Sequence, residues 1–343
     1  MVGPVPASAR GAAARLAGVS PRARTALVVA GLAALAAVVA AGAAVLSAEE
    51  LPPPPEAART LEPREGLPPL ELDLSLRRDE EAAALARALE AYDAGRAAEA
   101  ARIFGRHDSL EAKLGSAFAG WPDSLDRIEQ LGALYPRSAL VQLHVGFARF
   151  WAGRGGAVEA WREARNAEPD TPYAVRAGDF LEPNFAPGLP ILATDARLPA
   201  GLAELPADEQ LEALRTRAEA GPLEARLLYG VALQNLGRPL SARRVYAAAA
   251  AAFPDEPEAL VADALGRYTK QRPAAAFSRL GPLSRRFPES ATVRFHLGLL
   301  LLWQKDVDEA RRQLRLARDA EPGSFVAGRA TLYLNELARA GTG

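Results

Sequence analysis

The sequence predicts an all-α fold in which one apolar, membrane-spanning helix precedes an α-solenoid of helix-turn-helix repeats. Three observations carry this. Alanine, the strongest intrinsic helix former, supplies 76 of the 343 residues, and the aromatic residues that favour strands supply only 6%. The 23 residues from Thr25 to Ser47 bear no charge. Small, bulky and proline positions recur at a spacing of 34 residues in the C-terminal half, the period of a stacked helix pair.

The composition also excludes classes of function. With no Cys and only His107, His144 and His296, the chain lacks the material for thiolate chemistry, a disulfide framework or a histidine metal cluster. A formal net charge of −1 argues against nucleic acid as a partner, because phosphate recognition needs a concentrated positive field. No HExxH, nucleophile elbow or phosphate-cradling glycine loop occurs. The glycines at 153–156 are placed in a helix-helix turn with no strand before them. The expectation is therefore no enzyme, no catalytic residue, no metal and no cofactor.

The elements follow in chain order. Residues 1–24 form a basic tail whose Arg10, Arg15, Arg22 and Arg24 meet no acid before Glu49. Residues 25–47 follow as a helix of about 34 Å, long enough for a hydrocarbon core of about 30 Å. Two readings fit it: an uncleaved signal anchor, or a signal peptide cut after Ala43 or Ala48. The length of the uncharged run favours the anchor. Arginines before it and Glu49 and Glu50 after it orient the amino terminus to the cytoplasm and the rest outside the cell membrane. Residues 48–78 read as a stalk, since seven prolines between 51 and 70 fix φ and remove donors, which favours extended polyproline II.

From residue 79 onward, amphipathic stretches alternate with Pro and Gly. Pro254, Pro288 and Pro322 are 34 apart, as are Ala242, Ala276 and Ala310; Gly230, Ala264 and Gly298; Tyr246, Leu280 and Leu314; and Ala249, Leu283 and Ala317. The small residues let two helices cross closely, the bulky column fills the gap between them, and the proline ends the second helix. These columns resemble tetratricopeptide repeats. The clearest unit carries Tyr229-Gly230, Gly237 at the turn, Ala242, Tyr246, Ala249 and Pro254. A looser unit places Val145-Gly146, Gly153, Ala157 or Ala160, Trp161, Ala164 and Pro169. A third supplies Gly95, Ala100 and Phe104, and Leu110 to Pro136 makes a further pair. The resemblance implies N-terminal repeats over 79–182, C-terminal repeats over 207–324, five or six pairs in all, and a capping helix and tail at 325–343. In the unit starting at Pro257 the family's apolar sites fall on Asp263 and Arg267, so Val261, Ala264, Leu265 and Tyr268 are expected to form the inner stripe instead. Residues 183–206 cannot continue the array, and a loop containing Phe185, Leu189, Ile191 and Leu192 is too apolar for solvent.

The resemblance implies a concave face lined by the first helix of each pair, which binds an extended peptide or a helix of another protein. Its inward positions are Leu143, Phe147, Phe150 and Trp151 in one unit, Leu227, Val231, Gln234 and Asn235 in a second, and Phe295, Leu299, Leu302 and Trp303 in a third. Chaperone-binding members use Lys, Asn and Arg on the groove to clamp a terminal carboxylate; here those first-helix sites are Leu, Val and Phe, so that charge logic is missing. His144 and His296, each two residues before a small glycine, read as partly exposed helix residues. The layout is similar to bacterial membrane-tethered repeat proteins that serve secretion or envelope assembly. It implies a scaffold or adaptor with a protein partner, no nucleic acid and a membrane tether. A self-associating assembly component is the alternative, which would make the chain a homo-oligomer. A regulatory domain for a neighbouring enzyme or transporter is the third reading.

Overall fold

The structure, a computed structural model, describes residues 62–340. The basic tail, the apolar segment 25–47 and the first part of the Pro-rich segment lie outside the described residues. Among the described residues no helix is long and apolar enough to cross a membrane.

Fifteen α-helices follow one another, with no strand among the described residues. They are α1 (Glu80–Asp93), α2 (Ala97–Phe104), α3 (Leu110–Ala119), α4 (Leu125–Leu134), α5 (Ala139–Trp151), α6 (Ala157–Ala167) and α7 (Pro172–Leu181). After a long irregular segment and a 3-10 turn at Leu202–Glu204 come α8 (Ala207–Ala220), α9 (Leu223–Asn235), α10 (Pro239–Ala252), α11 (Pro257–Gly266), α12 (Ala274–Arg286), α13 (Ala291–Trp303), α14 (Val307–Ala320) and α15 (Phe325–Ala340). Each helix packs mainly on its sequence neighbours and on the next helix but one, which is the contact pattern of stacked helix pairs.

Local chemistry sets the boundaries. Asp79, Ser109, Ser138, Thr171, Ser290 and Asp306 accept from a backbone amide of the helix that follows each of them, satisfying one orphan donor. Within pairs the turn takes a left-handed residue: Gly95 at φ +73°, Gly153 and Gly237 at +65°. The fourth such turn holds Lys305 at φ +65°, where the side chain costs about 1–2 kcal/mol.

The 34-residue columns meet as their chemistry requires. Ala242, Ala276, Ala310, Tyr246, Leu280 and Leu314 are all buried. A Cβ added to Gly230 would lie 2.1 Å from Cε1 of Tyr246, and one on Gly146 would lie 2.2 Å from Nε1 of Trp161. The small residue and the aromatic are therefore one packing unit, repeated in both halves. In α11, Val261, Ala264 and Leu265 are buried along with Tyr268 just beyond it. Asp263 is also buried, and Arg267 and Arg279 neutralise it at 2.9 and 3.4 Å.

Two hydrophobic cores divide the chain. One joins α1 to α7 and reaches back to Leu70; the other joins α9 to α15 and reaches back to Leu192. Between them lies a polar seam. The Asp170 carboxylate accepts from the Leu240 and Ser241 amides and the Ser241 hydroxyl, capping α10 from the other half. Lys270, only 5% exposed, donates to Asp179 at 2.6 Å. Arg238 bridges Asp73 and the Asp170 carbonyl.

Candidate functional site

Each core contains a segment that belongs to no helix. In the first it is residues 67–74, the distal end of the Pro-rich stretch; in the second it is residues 189–196, within the irregular connection between α7 and α8. The distal stalk is thus not a free-standing spacer. Its leucines are drawn into the first core because an extended chain bearing Leu67, Leu70, Leu72 and Leu74 has more to gain from burial than from solvent.

The two segments carry one pattern, Leu67-Pro68-Pro69-Leu70-Glu71-Leu72-Asp73 and Leu189-Pro190-Ile191-Leu192-Ala193-Thr194-Asp195, and occupy matching seats. Pro68 and Pro190 are buried, as are Leu70 and Leu192. The Tyr92 hydroxyl donates to the Pro68 carbonyl at 2.6 Å, and the Gln234 side-chain amide donates to the Pro190 carbonyl at 3.2 Å. Tyr92 and Gln234 each precede the turn glycine of the first pair, Gly95 and Gly237, by three residues. Gln234 also accepts from the Leu192 amide, and the Tyr246 hydroxyl donates to the same oxygen.

One position further the histidines act. Nε2 of His144 accepts from the Glu71 amide and Nε2 of His296 from the Ala193 amide, both at 2.9 Å. Nδ1 of each ring lies 2.7 Å from a carbonyl of its own helix, Leu140 and Thr292. A carbonyl only accepts, so Nδ1 carries the proton and Nε2 presents a lone pair to the extended segment, which lies as a strap on its core. Neither ring has exposed surface, and burial pushes both imidazoles down to about 4, so each is neutral at pH 7. The reading of these histidines as partly exposed is corrected: aromatic neighbours Phe118 and Phe147 enclose His144, and Phe295 abuts His296. The segments end at the closing helix of each half. The Asp73 amide donates to the Tyr173 hydroxyl at 2.8 Å, and the Phe325 amide donates to Asp195. Burial pushes the Tyr92 and Tyr173 hydroxyls up, so both stay protonated at neutral pH, Tyr92 as donor to the Pro68 carbonyl and Tyr173 as acceptor from the Asp73 amide.

Charges differ between the seats. The first faces two guanidiniums, Arg176 on Glu71 at 2.7 Å and Arg238 on Asp73 at 3.3 Å. The second sets Glu258 beside Thr194 and Asp195, where burial pushes its carboxyl up.

The twelve inward positions distribute as follows. Leu143, Phe147, Leu227, Phe295, Leu299 and Trp303 are buried among the helices, Phe150, Trp151, Val231, Gln234 and Leu302 are half-buried, and Asn235 is exposed. Gln234 bonds a strap as above, and Phe150 and Trp151 meet Arg64, three residues before the first strap, with the guanidinium 4.0 Å above the Phe150 ring and the Arg64 amide donating to the Trp151 carbonyl at 2.7 Å. Trp303 packs against Tyr268 and under Lys270 instead. The residues that grip the straps, Tyr92, His144, Tyr173 and His296, were outside that set. The signal for them is the Leu-Pro-x-Leu-x-x-Asp duplication, whose 122-residue separation is not a multiple of 34.

The paired helices, the small-residue and aromatic contacts and the left-handed turns together define the architecture. The fold is TPR-like. No family model matches the chain, and no curated protein matches it. Among solved structures, the APC/C hetero-tetramer Cut9-Hcn1 aligns with 16% identity and a TM-score of 0.26, over 76% of this chain and 56% of that one. That superposition is too loose to add to what the helix pairs establish, and the alignment spans little more than half of the matched chain. Among the described residues no cluster of His, Asp and Glu could hold a metal ion.

Proposed function

We propose that this chain is a protein-interaction scaffold, tethered to the cell membrane by residues 25–47 with the helix pairs on the outer side. Its partner binds as an extended segment along the first helices of the pairs, where Leu143, Phe147, Phe150, Trp151, Leu227, Val231, Gln234, Asn235, Phe295, Leu299, Leu302 and Trp303 line or support the groove. One observation supports this above the others: both halves already hold an extended segment through side chains that bond to its backbone. A surface with that property is suited to peptides and has no evident catalytic use. The tether rests on the uncharged run and its flanking charges, and a role in secretion or envelope assembly rests on layout alone.

The test is photo-crosslinking in native membranes from Asn235 and Trp151, with exposed Arg162 as a control position. The reading expects one partner polypeptide trapped from the groove positions and absent from the control. Adducts that are equal at all three positions, or none at all, overturn it; a second copy of the chain as the sole adduct favours the self-associating assembly component instead. Protease accessibility of residues 62–340 in intact cells tests the orientation.

A further inference from the structure

We infer that the seat of the first strap is an exchangeable binding site, specific for an extended, acidic partner segment of the form Leu-Pro-x-Leu-x-x-Asp, and that residues 67–73 are its built-in stand-in. The inference rests on the scaffold reading and names the ligand class for its groove.

The chain supplies two independent occupants of one kind of seat, so the determinants can be read by comparison. Shared positions are the first leucine, the proline, the second leucine and the aspartate; the other three differ as Pro69 and Ile191, Glu71 and Ala193, and Leu72 and Thr194. Backbone contacts recur at shared and differing positions alike, the carbonyl of Pro68 or Pro190 to Tyr92 or Gln234 and the amide of Glu71 or Ala193 to a histidine, while the differing side chains Glu71 and Thr194 meet Arg176 and Glu258. A backbone-reading seat with one deep leucine tolerates another sequence that keeps the shared positions.

Exchange is asymmetric. The second strap is tied at both ends, between α7 and α8, so it leaves only if the polypeptide between two folded helices moves. Among the described residues the first is covalently joined to the helical array through residues 75–79 to α1, and its upstream end is held on α5 by the Arg64 amide on the Trp151 carbonyl and the Arg64 guanidinium over Phe150. The first seat also carries the charge that selects an occupant. Arg176 and Arg238 meet the carboxylates of Glu71 and Asp73, whereas the second seat places Glu258 at the corresponding end. An incoming segment therefore needs an aspartate at the seventh position and gains from an acid at the fifth. His144 contributes selectivity of another kind. Its Nε2 lone pair requires a backbone N–H after the second leucine, so a proline at that point is rejected.

The experiment uses the full chain in detergent micelles and a fluorescent peptide of residues 62–76. Two variants free the seat independently: Leu70→Asp, and a chain with a protease site inserted after Ser75 that is cut after folding. The expected result is peptide binding at least tenfold tighter to either freed chain than to the intact one. Unlabelled peptide 187–198 should compete, a 62–76 peptide with Leu67 and Leu70 both changed to Asp should not, and His144→Phe should abolish binding. If both freed chains keep their helical circular dichroism and bind no peptide, or if the doubly substituted peptide competes equally, the inference is wrong. Light scattering that shows the intact chain as a strap-swapped dimer also overturns it, because the occupant is then a second copy. Binding of the peptide without any partner crosslinked in membranes leaves the site standing and defeats the scaffold reading; a captured partner with no peptide binding does the reverse.

Discussion

Acidification below pH 6.5 should destabilise this protein through His144 and His296. Both rings are fully buried, both give their Nδ1 proton to a carbonyl of their own helix, and both need a bare Nε2 to accept a strap amide. A second ring proton would oppose the strap N–H, and burial holds the folded value at about 4, against 6.5 in the unfolded chain. The sign follows from proton uptake. Above pH 6.5 both states are unprotonated at these rings and the stabilisation is fully present; below it the unfolded chain binds protons that the folded chain refuses. Stability then falls by about 1.4 kcal/mol per pH unit per histidine until the folded rings titrate. For two rings the loss is on the order of 4 kcal/mol by pH 5, a large fraction of a typical domain's 5–15 kcal/mol. Glu258 works in the opposite direction, because burial raises its carboxyl and protonation relieves that cost. Denaturant unfolding of the full chain in micelles, followed by circular dichroism at half-unit steps from pH 7.5 to 4.5, measures the slope. The variant His144→Gln with His296→Gln keeps Glu258 and loses the titration. A wild-type midpoint that stays constant down to pH 5, or an equal fall in the double variant, would refute the reasoning.

Other perturbations test separate parts of the structure. Leu70→Ala and Leu192→Ala should each cost about 2–5 kcal/mol in denaturant unfolding, since each removes a buried strap leucine; a cost under about 1 kcal/mol would mean the strap is not seated. Lys305→Gly should raise stability by about 1 kcal/mol, because φ +65° is free for glycine, and a loss would show that the lysine side chain matters more than the turn. Gly230→Ala should destabilise by about 1–3 kcal/mol as its Cβ meets Tyr246. Gly281→Ala, with nothing within 4 Å, should be neutral or stabilise by up to about 1 kcal/mol; thermal melts should therefore fall for Gly230→Ala and not for Gly281→Ala.

Much of the helical order is readable in the residues, and the reason is physical. Column chemistry such as Gly230 against Tyr246 works within one helix pair, where sequence distance and spatial distance agree. The last helix is likewise readable, since Phe325 to Ala340 is a single amphipathic stretch after Pro322. The straps were harder to read. Residues 67–74 look like polyproline spacer because their own composition argues for extended chain, and extended they are; what composition omits is the groove that receives them. The same blindness affected the histidines. Their equivalence was visible from Gly146 and Gly298, but whether a ring is buried depends on a strap 73 residues away in one half and 103 in the other. Leu143 and Leu227, which repeat geometry assigns to a groove face, have no exposed surface, because each is packed within the core of its half.

The most direct test of the central claim, that each half is closed by its own strap, is amide hydrogen exchange on the full chain in micelles at pH 7. Glu71 and Ala193 have no helical carbonyl to protect them, so protection at these amides reports the histidine bond alone. Protection comparable with the interiors of α5 and α13, lost at Glu71 in His144→Phe and at Ala193 in His296→Phe, is the predicted result. Exchange at the rate of an unstructured peptide at both positions would contradict the account.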